Sequence, residues 1–169
     1  MIRSRALSAL LSLLCWATLS GQVRAQAGQA TLVVVGEDGT SKTLAMSDLA
    51  ALPQMEIIVQ ERDSTKIVFR GPTIRALMTL VGAPTGHALR GPSMLLAILA
   101  DAADGYRAAF MLAELDEQFG ARLAIVALSQ DGHALSARDG PLRIVVAGEP
   151  HHARWMRQLT RLRLVRVGG

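Results

Sequence analysis

Cysteine is almost missing from this chain: among 169 residues the only one is Cys15, inside an apolar N-terminal stretch. A single cysteine cannot form an internal disulfide, and no CxxC pair is present to hold a metal. If the N-terminal stretch is removed on export, the remaining chain has no thiol, which excludes thiolate chemistry. The sequence also lacks a GxGxxG turn, a Walker loop, an HExxH pair and a serine elbow, so the usual nucleotide, zinc-protease and serine-hydrolase signatures are excluded.

The N-terminus has the pattern of a secretory signal. Arg3 and Arg5 precede an apolar stretch over residues 6–19, and no acidic residue lies among them. Val23 and Ala25 fit positions −3 and −1 of a cleavage site. The apolar stretch is shorter than the about 20 residues that a membrane span needs, which argues against an anchor. We therefore predict cleavage after Ala25.

This cleavage divides the chain into a signal peptide over residues 1–25 and a mature chain over 26–169. The signal carries three arginines and no acid, so 15 basic residues face 14 acidic ones in the remainder. A balance this close to neutral gives no case for nucleic acid or an anionic membrane as partner. The length suits one domain, and no later segment is apolar enough to cross a bilayer. We expect one soluble domain in the exported compartment, which is the periplasm of a Gram-negative bacterium.

Short β-strands dominate the secondary structure that the mature chain predicts. Alternating or continuous apolar runs bounded by turn residues predict strands over residues 31–35, 42–45, 56–60, 66–70, 94–100, 106–111, 123–128, 142–146 and 162–167. Helices are predicted over 47–52, with Ser47 as N-cap, over 74–81 after an opening Gly71-Pro72-Thr73, over 112–118, and as one turn over 155–159. Without a regular strand–helix alternation, this pattern predicts an α+β domain with a mixed or antiparallel sheet and a few short helices.

Five short motifs follow one another along this predicted domain. They are FRGPTIRAL at residues 69–77, AADGY at 102–106, QDGHAL at 130–135, DGPLR at 139–143 and ARWMRQL at 153–159. Each motif is weak by itself, and their order and spacing carry the information.

The series resembles the molybdopterin-binding domain of the sulfite-oxidase superfamily, from about Leu32 to Val167. The resemblance implies that domain's fold and a pterin-type pocket. Enzymes of the superfamily hold molybdenum through a cysteine in the loop that matches residues 60–65, and here that loop has none. Because a thiolate suits this metal centre, no molybdenum is expected. The chain is most similar to the stand-alone, cysteine-free periplasmic members that bind pterins for signalling.

A pterin is a flat polar heterocycle that needs a stacking surface, hydrogen-bond donors for its carbonyl and ring nitrogens, and acceptors for its amino edge. Arginine both donates and stacks, carboxylates accept, and aromatic rings stack. On the matched motifs, directly before the last of them and at the metal-loop position, the predicted ligand-binding residues are Glu61, Arg62, Asp104, Tyr106, Arg143, His152, Arg154 and Trp155. No catalytic or metal-binding residue is predicted.

Most of these residues have a structural alternative. Trp155 could instead anchor the last strand in the core, and the hydroxyl of Tyr106 could bond a buried carbonyl. Arg143 begins on a buried strand and so needs a partner, for which Asp104 or Asp139 is available.

For the remaining candidates, the alternative to ligand binding is a side chain that is simply exposed to solvent. Arg154 and Arg157 would share one face if their turn is helical; in the molybdenum enzymes a basic group here meets the cofactor phosphate, which a simple pterin lacks. Glu61 and Arg62 could be exposed loop charges. The histidines, among them the adjacent His151-His152, could bind zinc but fit solvated loops better.

Two functions of different classes follow. The first is an exported pterin-binding module that presents its ligand state to the periplasmic domain of a membrane signalling protein. The second is a molybdopterin-dependent oxidoreductase domain or subunit with a non-cysteine metal ligand. A structural protein that has kept the fold and lost the site is a third interpretation, which the clustering of arginine, tryptophan and tyrosine in the motifs opposes.

Overall fold

Short strands form most of the regular structure in this computed structural model, which describes residues 30–60, 65–149 and 151–168. The strands are β1 Thr31–Val35, β2 Ser41–Ala45, β3 Gln54–Gln60, β4 Lys66–Pro72, β5 Leu96–Ala102, β6 Arg107–Met111, β7 Ala124–Ala127, β8 Ser129–Gln130, β9 His133–Ala134, β10 Arg143–Val146 and β11 Leu159–Arg166. The helices are α1 Met46–Ala51 and α2 Ile74–Thr79, with 3₁₀ turns at Gly86–Ala88, Gly91–Leu95, Leu112–Leu115 and His152–Arg154. The predicted signal peptide lies outside the described residues.

The strands form three hydrogen-bonded groups. A five-stranded sheet has the order β2-β1-β11-β5-β6, a four-stranded sheet has the order β3-β4-β8-β9, and β10 pairs with β7 alone. Strands β1 and β11 run parallel, whereas the other pairs are antiparallel. The α+β class with mixed sheets and few short helices is therefore confirmed. In the part of the chain that the structure describes, no helix has the length and apolar composition of a membrane span.

One face of the five-stranded sheet packs against the hydrophobic core. Leu32 and Val34 of β1 alternate with partly exposed residues, as do Leu162 and Leu164 of β11, so a two-residue period separates inside from outside. In contrast, all four residues of β7 are buried, because this strand packs against β4 and α2 in addition to its paired strand β10. The apolar core is thus continuous from the sheet through β7 and β10.

The start of α1 differs from the predicted one, whereas α2 begins at Ile74 as predicted. The N-cap of α1 is Ala45, not Ser47, because the Ala45 backbone N–H donates to Asp48 Oδ2 at 2.8 Å. The N-cap of α2 is Thr73, whose Oγ1 accepts from the Ala76 backbone N–H at 3.1 Å. Gly71 and Pro72, predicted to open α2, instead complete β4.

Three other predicted boundaries are wrong. The strand predicted over 94–100 begins only at Leu96, because the preceding residues form a 3₁₀ turn with a proline at its start. The helix predicted over 112–118 is a single 3₁₀ turn, Leu112–Leu115. The helical turn predicted over 155–159 is absent from the described chain: Gln158 has a φ of 51°, and Leu159 already pairs in β11.

A buried aspartate holds the segment after the 3₁₀ turn Leu112–Leu115. Asp116 is only 2% exposed. Its carboxylate accepts from the backbone N–H groups of Gly86 and Gln118, each at 3.0 Å. The bond from Gly86 lowers the pKa of Asp116 most; burial opposes it, and the bond from Gln118 adds to it.

Replacement of Asp116 by asparagine is expected to lower the free energy of unfolding by an amount that depends on pH. Because the folded pKa lies below the unfolded value of about 3.9, the carboxylate stabilises the fold above about pH 4, and this contribution disappears as pH falls through the folded pKa. Asp116→Asn should therefore cost about 1–2 kcal/mol at pH 7 and less at pH 3. Urea unfolding at both pH values measures the difference, and an equal loss at both would contradict the assignment.

Candidate functional site

Two of the sequence motifs meet at a small surface cleft. The turn after β5 encloses a volume of about 200 Å³ together with the 3₁₀ turn His152–Arg154 and the residues that follow it. Its lining residues are Asp104, Tyr106, His152, Ala153, Trp155, Met156 and Arg157. Four of the eight predicted ligand-binding residues thus lie together: Asp104, Tyr106, His152 and Trp155. We call this the heterocycle cleft.

Backbone and side-chain hydrogen bonds hold the two walls together. The Tyr106 N–H donates to Asp104 Oδ1 at 2.9 Å, and the chain reverses at Gly105 with a φ of 85°, a conformation that glycine adopts without strain. The Ala103 N–H donates to the Gln158 carbonyl at 2.9 Å. The Tyr106 hydroxyl donates to the Ala153 carbonyl at 2.6 Å. Ala153 is exposed, so this partner is not the buried carbonyl considered for Tyr106, which is itself 49% exposed.

Trp155 is both a core residue and part of the cleft wall. It is 8% exposed, its Nε1–H donates to the Val146 carbonyl at 3.1 Å, and it meets the ring of Phe69 edge-on with 5.9 Å between centroids. The imidazole of His152 lies parallel to the indole, with 3.8 Å between centroids and 12° between planes. A ligand stacked directly on that indole face would have to displace His152.

Arg143 lies near Trp155 but does not line the heterocycle cleft. Its guanidinium carbon is 5.4 Å from the ring centroid of Phe69 and 5.7 Å from that of Trp155. Arg143 Nη1 is 3.4 Å from Asp139 Oδ1, so the ion pair considered for it is formed with Asp139. Arg157, which was not among the predicted ligand-binding residues, lines the cleft and lies 3.9 Å from the same Asp139 oxygen.

Arg154 belongs to a separate network of charges. Its Nε donates to Glu149 Oε1 at 2.7 Å, its Nη2 contacts the same oxygen, and its Nη1 donates to Glu114 Oε1 at 2.8 Å. The guanidinium also lies over the ring of Phe110 at 4.8 Å. Burial opposes its charge, but the hydrogen bonds and charges of the two carboxylates outweigh burial and raise the pKa of Arg154.

Three other predictions about the site have different outcomes. Arg154 and Arg157 do not share a helical face, because the 3₁₀ turn ends at Arg154 and the following residues are irregular. Glu61 and Arg62 lie outside the described residues. Sequence reasoning missed Glu114 and Glu149 as partners of Arg154, because neither acid belongs to the motif that carries the arginine.

The described residues do not fit a molybdenum cofactor. They contain no cysteine, and no group of three histidine, aspartate or glutamate side chains among them is placed to hold a metal. Arg154, one of the two arginines that the resemblance would place near the cofactor phosphate, is already paired with two carboxylates. The cleft is also smaller than the about 300–1,000 Å³ of sites for drug-sized ligands. Its volume suits one small ring system.

Comparison with known proteins gives a structural match alone. No family model matches the chain, and no curated protein matches it in sequence. Among solved structures it is similar to the crystal structure of the sulfane dehydrogenase SoxCD from Paracoccus pantotrophus, with a TM-score of 0.62 and 16% sequence identity. The match covers 83% of this chain and 39% of that chain, so it spans less than half of the dehydrogenase chain. At this identity the likeness shows a distant relation of fold.

Proposed function

We propose that this protein is an exported binding module for a pterin-type heterocycle, which presents its ligand state to the periplasmic domain of a membrane signalling protein and performs no molybdenum redox catalysis. The observation that carries the proposal is the heterocycle cleft. It brings together Asp104, Tyr106, Trp155 and Arg157 from two of the resembling motifs, with the imidazole of His152, which directly precedes the second motif. Export and the signalling partner rest on the N-terminal pattern and the family resemblance.

The chemistry of the cleft matches the edges of a pterin. Asp104 offers a carboxylate to the amidine-like edge, where an amino group and a ring N–H both donate. Arg157 offers N–H donors to the ring carbonyl. The exposed rings of Tyr106 and His152 supply flat surfaces for stacking. A bicyclic ring without a phosphate therefore satisfies the polar groups that line the cleft.

The same observations weigh against the oxidoreductase alternative. The distant relation of fold to a dehydrogenase favours a molybdopterin-dependent domain with a non-cysteine ligand. The described chain nevertheless lacks the thiolate, and Arg154, one of the two arginines at the candidate phosphate-binding position, is already paired with two carboxylates. Binding without redox chemistry agrees better with these side chains.

The first experiment analyses what the protein carries when it is purified from a periplasmic extract. Intact mass measures whether residues 1–25 have been removed. Acid release and oxidation, followed by fluorescence and mass spectrometry, identify a pterin, and elemental analysis of the same sample measures molybdenum. We expect a pterin without molybdenum. Stoichiometric molybdenum would overturn the proposal in favour of the oxidoreductase, and failure both to carry and to bind reduced pterins on titration would leave only the fold.

A conservative variant tests the cleft itself. Asp104→Asn keeps the Oδ1 acceptor for the Tyr106 N–H and removes the charge, so the turn should persist while pterin affinity falls about tenfold. Asp131→Asn is the matched control, because Asp131 also precedes a glycine in a tight turn and accepts from the Val68 backbone N–H at 2.8 Å, away from the cleft. Fluorescence titration with a reduced pterin measures both. Equal affinities of the two variants would exclude Asp104 from the site.

A further inference from the structure

The outer face of the five-stranded sheet carries a row of charged residues. The strand register places Val33 of β1 beside Arg161 of β11, Arg161 beside Asp101 of β5, and Asp101 beside Arg107 of β6. Arg163 follows two residues later on β11 and therefore shares this face. These residues line a cleft of about 550 Å³, within the size range of small-molecule sites. We call it the basic cleft.

A β-bulge directs one arginine into this row. The pairing of β11 with β5 shifts between Leu159 and Arg161, so Thr160 is the extra residue. The Thr160 hydroxyl donates to the backbone carbonyl of Asp101 at 2.9 Å, which holds the bulge against β5. Bulges change the direction in which the following side chain projects, and here that side chain is Arg161.

The charges of the basic cleft are not balanced. Its three guanidiniums, from Arg107, Arg161 and Arg163, face the single carboxylate of Asp101. Arg107 Nε is 3.0 Å from Asp101 Oδ1, and Arg163 Nε donates to Asp101 Oδ2 at 3.1 Å. Arg161 makes no ion pair within residues 30–60, 65–149 and 151–168. Among these residues, two positive charges of the cleft thus remain without a counter-charge.

We propose that the basic cleft is a second binding site, which takes a small dianion such as a phosphate monoester or a dicarboxylate. A dianion would balance the two remaining charges. The planar guanidinium fork pairs with two oxygens at once, as phosphate and carboxylate groups allow. Asp101 holds Arg107 and Arg163 in place, so part of the ordering cost of binding is already met.

The basic cleft is distinct from the heterocycle cleft. Gly105 lines the basic cleft, whereas its neighbours Asp104 and Tyr106 line the heterocycle cleft. The turn over 103–105 therefore separates the two, and the dianion site does not depend on the proposed pterin function. Asp104→Asn, which should weaken pterin binding, is expected to leave dianion affinity unchanged.

Titration of the purified protein with inorganic phosphate and with malonate tests this site, with sodium chloride at matched ionic strength as reference. Backbone amide shifts in an NMR spectrum, or calorimetry, measure the binding. We expect saturable binding of one dianion, with competition between phosphate and malonate where both bind. If only one of them binds, it identifies which oxyanion chemistry the cleft takes.

Two arginine variants locate the binding. Arg161→Gln should weaken dianion binding about fivefold, which is the effect of losing one exposed ion pair. Arg138→Gln is the matched control, because Arg138 is an exposed arginine outside both clefts, and it should leave the affinity unchanged. The proposal is overturned if dianions produce no saturable change beyond that of chloride, or if Arg138→Gln weakens binding as much as Arg161→Gln does.

Discussion

Replacing Arg154 by methionine is expected to lower the free energy of unfolding by about 3 kcal/mol, because it leaves a buried carboxylate without its main partner. The side chain of Glu149 is only 9% exposed. Its Oε2 is buried and has no hydrogen-bond partner among the described residues. The negative charge of Glu149 is therefore compensated through the contacts of Oε1 with arginine. After the substitution only Arg122 would remain near that oxygen, at 3.8 Å. Methionine keeps an apolar stem over Phe110, so the loss reports charge more than packing.

Urea unfolding measures this effect, with Arg75→Met as the matched control. Arg75 pairs with Glu117 at 2.5 Å, but the Glu117 side chain is 78% exposed, and exposed pairs contribute about 0–1 kcal/mol. Adding Glu149→Gln to Arg154→Met should recover part of the stability, because it removes the uncompensated charge. A loss no larger than that of Arg75→Met would contradict the prediction that Glu149 depends on Arg154 to compensate its buried charge.

The role of Arg154 marks the limit of what the sequence could predict about the site. The pattern of short strands and few helices correctly predicted an α+β fold with mixed sheets, and the structure brings the segment around Tyr106 next to that around Trp155. The partners of Arg154 were not predicted, because Glu114 is 40 residues away with no local pattern to link them, and Glu149, five residues away, lies outside the motif that carries the arginine. The stacking of His152 on Trp155 likewise depends on a backbone path through the 3₁₀ turn, which carries no periodic signal.

The accuracy of the predicted elements follows the strength of their local signals. Strand β1 was predicted at its observed bounds, because a run of β-branched and other apolar residues and a following glycine-rich turn define it. The Asp131-Gly132 turn was also predicted correctly, and both residues have positive φ, as such turns require. The run over residues 94–100 was misplaced by two residues, since a continuous apolar segment has no period that separates a strand from a 3₁₀ turn.

Gly71→Ala is expected to be at least as damaging as Arg154→Met, with a loss above about 3 kcal/mol or failure to fold. Gly71 is buried in β4, where this strand passes close to β7. A Cβ at this position would lie 1.9 Å from the Val126 carbonyl oxygen and 2.9 Å from the Cα of Ala127. Both are backbone atoms of β7, so no side-chain rotation can relieve the overlap, and β4 would have to separate from β7.

A control variant at a second glycine measures the cost of backbone strain without steric overlap. Gly39 has a φ of 85°, and no atom lies within 4 Å of the position that a Cβ would take there, so Gly39→Ala should cost only the about 1–2 kcal/mol of a left-handed alanine. Thermal or urea unfolding of the two variants compares them directly. A loss for Gly71→Ala no greater than that for Gly39→Ala would mean that β4 and β7 are not packed this closely. Strand β4 also leads directly into the N-cap of α2. Separation of β4 from β7 in Gly71→Ala should therefore destabilise α2 as well as the strand.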